Sequence, residues 1–190
     1  MSPGPRSPQS MVLGSTLDTR RMRGEPIGPQ HRDGLIALLG DPRVGETLGG
    51  AATPADVDAQ IAWVRRRWAE HGFGWYAFLD RGSGALVARG GPQATHVEGS
   101  PAVEVGWAVH ADRWGQGLAT ELGAASVAHA FGPLGLCELV SFTLPDNLAS
   151  RRVMEKLGFS HAGEIEHAGL PHVLYRLSAA TARSTSASVV

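Results

Sequence analysis

The stretch Arg113-Trp114-Gly115-Gln116-Gly117-Leu118-Ala119-Thr120-Glu121 constrains the fold of this chain more than any other. It follows an alternating segment, Val103 to His110, and opens an Ala- and Gly-rich run that reaches Phe131. Alternation with period two predicts a strand, and the small-residue run predicts a helix packed closely on a sheet. The glycines between them remove Cβ atoms and admit left-handed torsions, so the backbone can turn sharply and be approached closely. At a helix start the first amides lack intrahelical partners and lie at the positive end of the peptide dipoles. Strand, glycine turn and helix together predict an anion cradle, and a pyrophosphate suits it.

The 190 residues suffice for one domain with a sizeable core. Residues 1–15 and 179–190 are rich in small and polar residues without apolar periodicity and read as tails, leaving 16–178 as a single folded domain. A formal net charge of -1 and a pI near 6.7 supply no basic field, which argues against nucleic acid and anionic membrane as partners. The one cysteine, Cys137, excludes an internal disulfide and reads as a buried structural thiol, and the eight histidines show no metal spacing, so no metal is expected. No apolar run reaches the ~18 residues of a membrane span, and the start lacks the apolar middle of a secretion signal. A cytoplasmic location is expected.

Within the folded part, Arg21 to Ile27 reads as a first strand and Gln30 to Leu39 as a short helix ended by Gly40-Asp41-Pro42. Thr53, Pro54 and Asp56 start a second helix whose apolar stripe is Val57, Ile61, Val64 and Trp68. Arg65, Arg66 and Arg67 then read as a mainly solvated face. A hairpin follows, Trp75 to Asp80 and Ala85 to Arg89, then a Gly/Pro-rich stretch before the strand Val103 to His110. That strand turns Glu104, Gly106, Ala108 and His110 to one face, a shallow polar groove. After the glycine turn and its helix, Leu136 to Leu144 reads as a buried central strand and Asn147 to Leu157 as a helix with Ala149, Val153 and Leu157 inward. Phe159 to Glu164 and His172 to Leu177 form a closing strand pair. The order βααβββαβαββ predicts an α/β (α+β) class fold, with a mixed, largely antiparallel central sheet flanked by helices.

Three segments carry a resemblance: Thr19-Arg20-Arg21-Met22, the glycine loop from Trp114 to Glu121, and Asn147-Leu148-Ala149-Ser150-Arg151-Arg152-Val153-Met154-Glu155-Lys156-Leu157-Gly158-Phe159. In this order and spacing the chain resembles the GNAT superfamily of acetyl-CoA-dependent N-acetyltransferases over roughly Thr19 to Leu177. It looks most like the Rim-type branch of ribosomal-protein N-terminal acetyltransferases. The resemblance implies that Trp114, Gly115, Gln116, Gly117, Leu118, Ala119 and Thr120 bind the coenzyme pyrophosphate, mainly through backbone amides. It implies that Trp107, Ala108, Val109 and His110 present strand backbone to the pantetheine. Asn147 matches a residue that hydrogen-bonds the pantetheine, the reading preferred over a helix cap because Asp146 could perform the capping instead.

Acetyl transfer to an amine needs a neutral amine, a stabilised oxyanion and a protonated leaving thiol. Glu104, on the groove face, is the candidate base, directly or through a water, and an ordinary strand carboxylate is the competing reading. Many superfamily members place a Tyr seven residues after the Asn to protonate the thiolate, and here that position is Met154. Ser150 matches the Ser that Rim-type relatives are thought to use instead; otherwise it is a first-turn helix serine. An amide near Val109 would meet the oxyanion. Tyr175 is a further possible donor and His110 a further possible base, while His161, His167 and His172 lie near the expected acceptor.

The implied reaction is acetyl transfer from acetyl-CoA to a primary amine, a protein N-terminus or a small molecule, in a ternary complex by a monomer or homodimer. The acceptor walls should come from Asp41 to Pro54 and Glu164 to Pro171, whose acidic groups, Asp41, Glu46, Glu164 and Glu166, are too few to announce a polycation. A dinucleotide-binding domain fails because Thr120 stands where its third glycine would fall. A catalytically silent acyl-CoA-binding regulatory module remains the alternative.

Overall fold

Over residues 16–182, which the computed structural model describes, the chain builds an open eight-stranded sheet. Its strands are β1 (Leu17–Asp18), β2 (Met22–Pro26), β3 (Tyr76–Asp80), β4 (Leu86–Val97), β5 (Ser100–Val109), β6 (Glu138–Thr143), β7 (Ser160–His167) and β8 (Leu170–Ser178). The helices are α1 (Arg32–Leu39), α2 (Pro42–Glu46), α3 (Pro54–His71), α4 (Leu118–Phe131) and α5 (Leu148–Lys156). Across the sheet the order is β1-β2-β3-β4-β5-β6-β8-β7. Among the described strands β5 and β6 form the parallel pair and the other neighbours run antiparallel. The expected class and sheet type are thus present, with β1 and α2 added to the expected order. The expected tails at 1–15 and 183–190 lie outside the described residues, whereas 179–182 continue from β8 as a helical turn that buries Ala179.

Several local readings are corrected. Gly40-Asp41-Pro42 ends α1 and also starts α2: Pro42 takes the first helical position, and Asp41 Oδ1 accepts from the Arg43 amide at 2.9 Å. The Gly/Pro-rich stretch after Arg89 is not a loop but the second half of β4, paired with β5 as far as Val97 and Ser100. Pro92 is tolerated there because β3 pairs with β4 only as far as Gly90, so its missing N–H faces an open edge. Cys137 is exposed, since β6 begins one residue later and the preceding turn runs along the surface. In α5 the buried residue is Met154, while Ala149 is exposed and Val153 only half-buried.

The α3 stripe is as expected, with Val57, Ile61, Val64 and Trp68 all buried and the Thr53 capping box closed by Asp56. α1 packs against α3 and β4, and α4 lies across β4 and β5. One core joins these layers; a second gathers Val105, Leu139, Met154, Phe159, Val173, Tyr175 and Leu177 beneath α5. Trp107 packs against both, so β5 is where the halves of the molecule meet. Among the described residues no helix is long and apolar enough to cross a membrane, and no group of three metal-ligating side chains converges.

Candidate active site

The site originates where β5 and β6 part. Their register contains one rung, Glu104 opposite Val140, after which Ser141 Oγ donates to the Val105 carbonyl at 2.8 Å. Farther along, β5 has no partner on that side among the described strands. His110 donates its N–H to Val87 on β4, and backbone groups alternate along a strand, so the amides of Val105, Trp107 and Val109 turn toward the wedge. Ala108 and His110, expected to offer backbone to a ligand, instead direct theirs to β4, and His110 lies outside both cavities described below. Val109 is partly engaged already, since its carbonyl accepts from Trp114 Nε1 at 2.8 Å.

The glycine turn lies at the mouth of the wedge. Gly115 and Gly117 have φ of 73° and 77°, torsions that side chains with a Cβ strongly disfavour. Gly117 caps α4 without any side-chain bond, and the first intrahelical bond runs from Glu121 N–H to Gly117 O. The amides of Leu118, Ala119 and Thr120 therefore precede the helical ladder and stay available to an anion. The loop is braced from outside by Arg113, bound to Asp80 Oδ2 at 3.0 Å and Gln116 Oε1 at 3.0 Å, and by Arg21, which reaches the Gln116 carbonyl at 2.8 Å. Gln116 serves this brace and lies outside the cleft lining.

A cavity of about 390 Å³ runs along this turn. The remaining expected coenzyme residues line it: Trp107, Ala108, Val109, Trp114, Gly115, Gly117, Leu118, Ala119, Thr120 and Asn147. Its far wall is α5, where Ala149 and Val153 form a low apolar row beside Arg152 and Lys156. These two cations escaped the sequence reading, although their four-residue spacing on the helix after the Asn was a usable signal. Asn147 does cap α5, accepting from the Ser150 amide at 3.1 Å, so Asp146 is not the cap; the Asn147 carboxamide nitrogen remains for a ligand.

A second cavity, of about 350 Å³, adjoins the first and shares Thr47, Trp107, Asn147 and Ser150 with it. Both expected acceptor loops contribute, through Thr47, Leu48, Gly50 and Ala52 on one side and His167, Ala168 and Leu170 on the other. They nearly touch: a Cβ on Gly49 would lie 2.7 Å from Leu170 Cδ1. None of Asp41, Glu46, Glu164 and Glu166 lines this cavity. His167 and His172 do: His172 meets both Phe142 and His167 edge-to-face, Phe142 and His167 lie tilted together, and burial lowers the His167 pKa, helped by the charge of His172. His161 meets Tyr175 edge-to-face outside it.

Glu104, on β5, and Ser150, on α5, both line this second cavity. Glu104 is half-buried, and its carboxylate folds over Gly106, where an added Cβ would come within 2.7 Å of Oε1. Burial pushes its pKa from 4.5 up to about 7, against the opposing pull of the Arg89 charge. A carboxyl poised near neutrality can accept a proton from an ammonium. Tyr175 is removed from the list of donors, because its buried hydroxyl is bound by Glu155 and Arg151 at 3.1 and 3.3 Å.

An open mixed sheet split beside its one parallel rung, with an anion-binding turn at the mouth of the split, is the architecture of an acetyl-CoA-dependent N-acetyltransferase. The chain belongs to the GNAT family: the acetyltransferase (GNAT) domain matches residues 21–160. Among curated proteins it is similar to the FsC-acetyl coenzyme A-N(2)-transacetylase of Aspergillus fumigatus, 31% identical over 153 residues. That match takes in 77% of this chain and 65% of the relative's length. Among solved structures it resembles a protein of Bordetella pertussis described as of the GnaT acetyltransferase family, with 26% identity and a TM-score of 0.75 over 87% of this chain and all of that one. It shares its fold with an aminoglycoside acetyltransferase solved in complex with coenzyme A, with 20% identity and a TM-score of 0.71 over 87% of this chain and 99% of that one.

Proposed function

We propose that this protein transfers the acetyl group of acetyl-CoA to a primary amine held in the Glu104 cavity, by direct attack in a ternary complex. The observation that carries this reading is the shared wall: the cleft under the glycine turn and the Glu104 cavity meet at Trp107, Asn147 and Ser150. In this reading the pyrophosphate lies on the amides of Gly117 to Thr120 with Arg152 and Lys156 nearby. The pantetheine runs along the free edge of β5 and bonds to Trp107 and the Asn147 carboxamide. The Val109 amide meets the oxyanion, Glu104 accepts the ammonium proton, and Ser150 returns a proton to the departing thiolate.

The acceptor is either a small molecule or a terminal α-amine, as in the Rim-type branch. Thiol release from acetyl-CoA over a panel of amines tests the reading. Glu104→Gln is expected to lower kcat/KM at least ~100-fold, the usual scale for a lost general base. Unchanged turnover in that variant assigns the proton transfer to another group.

A further inference from the structure

Arg89 is an anomaly in the wall of the acceptor cavity. It is 6% exposed, its guanidinium lies 3.9 Å above the Trp75 ring, and its side chain makes no hydrogen bond or ion pair with any described residue. Its Nε is enclosed without a partner, as are the neighbouring Trp75 Nε1 and Gln60 Oε1. Arginine is a donor only, and a cation this deeply buried calls for an anion or a dense set of acceptors.

Glu104, on the same face of the sheet, does not supply that anion by contact, since no ion pair within 4.0 Å joins the two. Arg89 stands opposite Ala108 on β5, and the Glu104 carboxylate leans over Gly106 toward it. Both side chains line the cavity, so one sheet face presents to it a carboxylate and a guanidinium without an anionic contact.

Building on the function proposed above, we infer that the acceptor is a small amino acid, its carboxylate seated on Arg89 and its amine presented to Glu104. An amino acid carries its two charged groups a few bonds apart, and the two side chains lean along one sheet face closely enough for the Arg89 charge to act on Glu104. About 350 Å³ is the lower range of small-molecule sites and suits a single amino acid under the Gly49 and Leu170 roof. Among the described residues Glu104 is the one carboxylate lining the cavity, so a diamine or polyamine finds no second anionic seat there.

The test uses the full chain and follows thiol release from acetyl-CoA with L-α-amino acids, the primary amide of each, putrescine and a tripeptide. The best amino acid is expected to exceed its amide in kcat/KM by about 30-fold or more, the scale of one charge-assisted contact. Arg89→Gln should collapse that ratio toward one, chiefly through KM for the acceptor, and Arg89→Lys should restore part of it. The inference is overturned if amide, putrescine or tripeptide equals the amino acid in the unaltered protein, a comparison that needs no variant to fold. It is overturned as well if Arg89→Gln depresses amino acid and amide alike. Release with uncharged amines and no carboxylate preference removes this inference and leaves acetyl transfer standing. Release with no amine in the panel removes both.

Discussion

Arg21 and Glu121 lie 100 residues apart in sequence and are joined by a 2.6 Å ion pair between Arg21 Nε and Glu121 Oε2. The other Glu121 oxygen accepts from Thr19 Oγ1 and the Arg21 amide, both at 2.7 Å. One carboxylate in the first turn of α4 thus anchors the start of β2, and Arg21 passes the restraint on to the Gln116 carbonyl.

From this clamp follows the first prediction. Glu121→Ala should raise KM for acetyl-CoA severalfold while kcat changes by less than about twofold, because the variant loosens the turn proposed to bind the coenzyme and not the Glu104 cavity. Stability should fall by about 1–3 kcal/mol, the range for hydrogen bonds to a charged group. Steady-state kinetics and thermal unfolding check both.

Glu104 yields a pH prediction of definite sign. Acting as base it must be ionised, so kcat/KM should rise through about pH 7 and level off above it, and Glu104→Gln should remove that limb. Stability runs the other way. A folded-state pKa raised from 4.5 to about 7 means the folded state holds its proton longer than the unfolded chain. The contribution is full below about pH 4.5 and is lost as pH climbs toward 7. Unfolding at pH 5 and pH 8 should therefore show Glu104→Gln gaining on the unaltered protein by about 1–2 kcal/mol at the higher pH.

Asn147 can be separated into its two tasks. Asn147→Asp keeps an oxygen to accept from the Ser150 amide and loses the carboxamide donor. It should leave thermal stability nearly unchanged while raising KM for acetyl-CoA. Asn147→Ala should show the KM increase together with a loss of about 1 kcal/mol from the missing cap. A normal KM in Asn147→Asp would restrict the residue to capping.

Much of this was legible from local pattern. The β5 alternation, the Thr53 capping box and the Gly115 and Gly117 torsions follow from short-range chemistry that tertiary packing does not override, whereas the two loops that wall the Glu104 cavity were expected from the family resemblance. The rest depended on distant partners. Gly90 to Val97 looks like a loop until β5 is seen beside it and β3 is seen to stop at Gly90. Thr19 to Arg21 appeared as a motif without a reason until Glu121 was brought against it. Arg89 looked like the end of a hairpin strand; its burial without a partner is a property of the assembled cavity alone.

Tyr175 offers a contrasting case. Its hydroxyl is committed to Glu155 and Arg151 beneath α5 and takes no part in either cavity. Tyr175→Phe should cost about 1 kcal/mol in unfolding experiments and leave kcat/KM within a factor of two. A large fall in kcat with normal stability would return this residue to the proton-transfer path.

The lone β5–β6 rung at Glu104 and Val140 has a mechanical corollary. It makes the wedge a pair of arms sharing a fulcrum, and the proposed proton acceptor sits on the fulcrum. Tilting one arm by roughly 5° would carry Val109, five residues out at ~3.3 Å each, by roughly 1.4 Å, and would scarcely shift Glu104. Any widening that admits or releases the coenzyme thus falls on the oxyanion end of the strand, while the base keeps its place.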